Sequence, residues 1–132
     1  MRVGTEWWSL EIAPGWSGQD DEECFTLTRS ENGAFQLSAA RRESAPITPA
    51  EIDDRSRTDC SRFGQPFGVR FADFEGYGVT YFEGELAWRR YWLYQGRLVV
   101  FVTYVCTVEP HVSEWADVET MLGSLRSENG AA

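Results

Sequence analysis

Apolar and polar residues alternate with a period of two through most of this chain, the signature of half-buried strands. Over residues 6–13, Trp8, Leu10 and Ile12 face one way and Trp7, Ser9 and Glu11 the other, until Pro14-Gly15 ends the run. Residues 24–29 set Phe25 and Leu27 against Thr26 and Thr28, and residues 34–41 set Phe35, Leu37 and Ala39 against Gln36, Ser38 and Ala40. Asn32-Gly33 between them predicts a tight hairpin, since both residues accept positive φ. Four more strands are predicted at 69–75, 78–83, 85–94 and 98–107, punctuated by Gly76, Gly84 and Gly96. Those gaps leave no room for crossover helices, so the four form an antiparallel meander. Residues 98–102 are apolar on both faces, as in a central strand covered on both sides.

Two segments break the period. In Ile47-Thr48-Pro49-Ala50-Glu51-Ile52, Thr48 caps a helix and Pro49 fills its first position. Glu51 completes a capping box, and Ile47 and Ile52 bracket it as a staple. Little apolar surface follows, which places this helix on the sheet edge or at the periphery. A second helix is predicted from a Ser113 cap, with Glu114 and Asp117 in its first turns and Trp115, Val118, Leu122 and Leu125 on one face. The fold class is therefore α+β: an antiparallel sheet of six to seven strands, a short helix after the N-terminal hairpin, and a C-terminal helix packed on the sheet. Residues 1–126 form one domain, and 127–132, turn-forming and small, a flexible tail.

Charge narrows the partners. The formal net charge is −9, from 21 acidic and 12 basic residues, every basic one an arginine. Phosphate backbones and anionic membranes repel such a surface, so neither nucleic acid nor membrane is expected, whereas a basic protein is steered in. No apolar run is long enough to span a bilayer. Cys24, Cys60 and Cys106 form no CxxC pair, which fits reduced thiols in the cytoplasm better than a disulfide framework.

Two stretches are candidate binding surface. Asp20-Asp21-Glu22-Glu23 is a solvated loop or a dock for a basic protein; it lacks the alternate oxygens and internal glycine of a calcium loop. In Trp88-Arg89-Arg90-Tyr91-Trp92 each strand face carries an arginine beside aromatics, suited to ordinary cross-strand packing or to holding a carboxylate. The sole histidine, His111, has no nucleophile or metal-ligand partner in recognisable spacing. No phosphate loop, nucleophile elbow or HExxH occurs, so no catalytic residue, metal ligand or cofactor is assigned.

The run Trp8-Ser9-Leu10-Glu11-Ile12-Ala13-Pro14-Gly15-Trp16 resembles the start of Mog1/PsbP-like domains. Residues 33–39 resemble the third strand of that pattern, residues 48–52 its first helix and residues 113–125 its closing helix. The likeness is to small bacterial members of the group. It implies an antiparallel sheet with helices against it, and an accessory or binding role; no family active residue is matched.

These readings converge on a non-enzymatic protein-interaction module for a basic partner, for instance an immunity-type protein blocking a basic toxin. The alternative is a small-ligand domain that recognises an anionic group through Arg89 or Arg90.

Overall fold

The computed structural model describes residues 1–60 and 63–132, and side chains outside 59–62 and 109–113. Its strands are β1 (Arg2–Gly4), β2 (Trp8–Glu11), β3 (Ser17–Asp20), β4 (Phe25–Thr28) and β5 (Gly33–Arg41), then, after helix α1 (Pro49–Cys60), β6 (Phe67–Phe71), β7 (Phe74–Glu83), β8 (Leu86–Gln95) and β9 (Leu98–Thr107). Helix α2 (Val108–Gly123) and β10 (Arg126–Ser127) close the chain. A seven-stranded antiparallel sheet runs in the order β3-β4-β5-β9-β8-β7-β6, and a three-stranded sheet in the order β1-β2-β10. The fold is α+β, with the expected hairpin and meander side by side: β5 pairs with β9 along its whole length.

Strand β9 shows why its sequence is apolar throughout. Leu98, Val100, Val102, Tyr104 and Cys106 enter a core beneath α2 and the small sheet, with Trp8, Leu10, Phe35, Leu37, Val118, Met121 and Leu122. Val99 faces a second core on the other side, shared with Ile47, Ile52, Val79, Trp92 and Tyr94, and Phe101 packs against it. Helix α1 lies over the face carried by β7 and β8, toward the β6 edge of the sheet. Ile47, Ile52 and Ser56 are buried against that face, while most of the helix surface stays exposed. The cap is as predicted: the Glu51 N–H donates to Thr48 Oγ1 at 3.3 Å, and that hydroxyl donates to Glu51 Oε1 at 3.1 Å.

Several local expectations are corrected. Neither Asn32 nor Gly33 takes positive φ. The connection occupies residues 29–32, and Gly33 already pairs with Cys106. A Cβ there would lie 2.8 Å from the Val105 carbonyl oxygen, so close backbone approach requires this glycine. Gly76 likewise marks an approach to β8 and not a turn, since its Cβ would sit 1.8 Å from the Trp92 carbonyl. The chain turns instead at Ala72-Asp73. Asp20, expected in a loop with residues 21–23, ends the edge strand β3; all four residues of β3 are exposed, so no alternation betrays it, and pairing with β4 holds it extended. Helix α2 begins at Val108, so Ser113 lies inside it and is not its cap. Residues 127–132 are docked: Ser127 pairs with Trp8, and Ala131 is 2% exposed.

The three meander turns each open on a residue of positive φ: Ala72 at +55°, Gly84 at +60° and Gly96 at +57°. Only alanine meets the steric cost of that region, roughly 1 kcal/mol, partly offset by the greater freedom of glycine when unfolded. Ala72→Gly should therefore raise the urea midpoint, by the equivalent of about 0.5 kcal/mol, while Gly84→Ala should lower it.

Candidate functional site

The nine candidate surface residues do not meet. Along β8 the side chains alternate, sending Arg89 and Tyr91 toward α2 and Trp88, Arg90 and Trp92 toward α1. Tyr91 and Trp92 are buried core residues. Arg89 stacks on Trp115 of α2, its guanidinium carbon 3.7 Å from the ring centroid, and Tyr91 stacks on the same indole at 6.1 Å. Burial holds the Tyr91 phenol above its ordinary pKa. Arg89 and Tyr91 thus pack against α2. The acidic loop lies at the far edge, with β4, β5 and β9 between β3 and β8. At about 4.8 Å per strand, that is a separation of roughly 19 Å.

What the acidic loop does meet is the segment before β2. A cleft of about 160 Å³ lies where the two sheets face each other, lined by Glu6, Asp20, Glu22 and Glu23 and by Trp7, Trp8 and Phe25. The loop holds a defined shape. Asp20 Oδ1 accepts the Glu22 N–H at 3.0 Å, Asp21 Oδ1 accepts Gln19 Nε2 at 2.9 Å, and Glu22 sits at φ +71°. The opposite wall is fixed by the docked C-terminal segment: Asn129 Nδ2 donates to the Glu6 carbonyl at 2.7 Å, and the Glu128 N–H to the Trp7 carbonyl at 2.9 Å. Trp8 packs edge-on against Phe25, ring centroids 5.6 Å apart, and floors the cleft with aromatic carbon. None of the four carboxylates forms an ion pair with a described cation. Elsewhere Arg29 pairs with Asp117, Arg42 with Glu51 and Arg57 with Asp53. The cleft is thus a concentration of uncompensated negative charge over an apolar floor. Glu6 and Trp7 were not placed at this surface from the sequence, because their approach to the loop depends on how the two sheets meet.

Glu114, expected in the first turn of the second helix for its charge, is instead 4% exposed on the buried face of α2. Its Oε1 accepts from Tyr104 Oη at 3.1 Å and Cys106 Sγ at 3.5 Å, and its Oε2 from Ser30 Oγ at 2.9 Å. The signal was present: Glu114 stands four residues before Val118 and seven before Met121, on the apolar stripe itself. Burial above all, with Glu114 adding its charge, raises the Tyr104 phenol far beyond its ordinary range and pushes the Cys106 thiol up. Both groups are neutral acids when folded, and the unfolded chain ionises them first. Their stabilisation is complete below the unfolded values and is lost as pH rises past about 9. The denaturant midpoint should fall steadily between pH 9 and 11, and Tyr104→Phe should shallow that fall.

Cys106 is buried, Cys24 is partly buried, and both thiols are unpaired; the side chains of Cys60 and His111 lie outside the described residues. Among the described residues no three His, Cys, Asp or Glu side chains gather closely enough to hold a metal, and no helix is long and apolar enough to cross a membrane.

No protein-family model matches the chain, and no curated protein matches it. The fold itself recurs in a crystal structure from Bacteroides thetaiotaomicron VPI-5482, determined at 1.50 Å resolution, with a TM-score of 0.68 at 12% sequence identity. The match covers 96% of this chain and 47% of that one, so this chain spans about half the length of its structural neighbour. At that identity the likeness is one of fold.

Proposed function

We propose that this chain is a non-enzymatic binding module that takes a cationic side chain of a basic protein partner into the cleft between its two sheets. The supporting observation is the set of four carboxylates, Glu6, Asp20, Glu22 and Glu23, without a described counter-cation above Trp7, Trp8 and Phe25. An arginine or lysine suits both parts. Its hydrocarbon stem lies along aromatic carbon while its charged head meets carboxylate oxygens, gaining charge-assisted hydrogen bonds and cation–π attraction. The net charge of −9 steers such a partner toward the chain before contact. An immunity-type protein that blocks a basic toxin is one form of this role. Membership of the Mog1/PsbP-like group belongs to the same proposal, supported by the sequence motifs and by a sheet with helices against it. A cytoplasmic setting is supported by the unpaired thiols of Cys24 and Cys106.

Arginine-bearing peptides, followed by tryptophan fluorescence at low and moderate salt, test the reading. Binding should weaken with salt, and the double charge reversal Glu22→Lys with Glu23→Lys should reduce affinity at least tenfold, about 1.4 kcal/mol. Affinity indifferent to both salt and charge reversal overturns it.

A further inference from the structure

The face of the main sheet that carries α1 is only partly covered. Helix α1 packs on β7 and β8, which leaves open a polar row running across the sheet through directly paired positions: Thr26, Gln36, Thr103 and Arg90. Gln36 Nε2 donates to Thr26 Oγ1 at 3.2 Å, so one end of the row is satisfied internally. The other end is not. Arg90 Nε is sealed from solvent with no acceptor among the described residues, and so is the indole N–H of Trp88, two residues away on the same face. The guanidinium carbon lies among three rings, 5.2 Å from Trp88, 5.7 Å from Phe63 and 5.9 Å from Tyr81.

Those rings attract the cation but offer no oxygen to its N–H groups. Leaving a buried donor unpaired costs about 1–3 kcal/mol, more for a charged one. The omission is notable in a chain with 21 carboxylates, which ties most of its described arginines to acids or carbonyl oxygens. A cleft of about 290 Å³ opens beside Arg90, lined by Trp92, Phe101 and Thr103 and, among the described residues, by no acidic side chain. That volume lies just below the range usual for ligand sites, about 300–1,000 Å³, and so admits only a small molecule.

We infer that this cleft is a second binding site, for a small aromatic carboxylate. Its carboxylate meets the guanidinium of Arg90, which lines the cleft, and its ring lies against Phe101 and Trp92. The site is distinct from the acidic cleft and stands whether or not that cleft binds a basic partner. Benzoate is the probe, with acetate and inorganic phosphate as comparisons, followed by calorimetry and by the indole N–H resonance of Trp88. Saturable benzoate binding that shifts that resonance, is at least tenfold weaker in Arg90→Gln, and survives Arg97→Gln and Glu22→Lys supports the site. Should Arg90→Gln fail to fold, Arg90→Lys replaces it, with a several-fold loss expected. No saturable benzoate binding, equal binding by the variants, or phosphate or acetate bound as tightly as benzoate overturns the inference.

Discussion

Trp8→Ala should destabilise the protein by about 3–5 kcal/mol, the range for emptying a buried indole site. Trp8 is 1% exposed and joins the two sheets, pairing with Ser127 through its backbone while its ring meets Phe25. Neighbours on two separate sheets cannot collapse into the vacated space without breaking one of them, which puts the cost toward the upper end. Denaturant unfolding measures it; a loss below 1 kcal/mol would mean that the ring is not enclosed. Trp8→Phe should recover most of the loss, since it keeps an aromatic ring against Phe25.

A chain ending at Leu125 should lose on the order of 3 kcal/mol. Deletion of residues 126–132 removes the β10 ladder, the bonds from Glu128 N–H to Trp7 and from Asn129 to Glu6, and the carbonyl of Ala131 that accepts Arg41 Nε at 3.1 Å. Each such bond contributes about 1 kcal/mol net, against which the ordering of a short segment is set. The same deletion frees the wall that carries Glu6 and Trp7, so affinity for arginine-bearing peptides should fall alongside stability. A flexible tail would change neither quantity, and the two measurements together separate the alternatives.

How far the sequence was legible follows from which interactions are local. Strands with one buried face announced themselves by period, and 98–107 matched β9 residue for residue because both of its faces are covered. The capping box at Thr48 and Glu51 was readable for the same reason, its partners being three residues apart. Failures came where partners are distant. β3 carries no apolar side and is a strand only because β4 is beside it. The segment 127–132 is polar and small, and its order comes from Trp7, Glu6 and Arg41 more than eighty residues away. The candidate surfaces divided likewise. Asp20 to Glu23 were found from charge alone, but the aromatic floor that turns them into a cleft depends on how two sheets meet. Arg90 was found beside its rings, while the missing acceptor is a three-dimensional fact.

The three-stranded sheet has a kinetic consequence. β2 is flanked by β1 on one side and on the other by β10, whose Ser127 meets Trp8 across nearly the whole chain. Closing a segment of about 120 residues instead of a four-residue turn means roughly five doublings of loop length, an entropic handicap of about 3 kcal/mol. The meander from β6 to β9, joined by two-residue turns, has no such handicap. Assembly therefore begins in the meander and finishes with β10 closing over β2. The acidic cleft, whose wall that last strand secures, is among the final parts of the molecule to take shape, and the first to open when folding reverses.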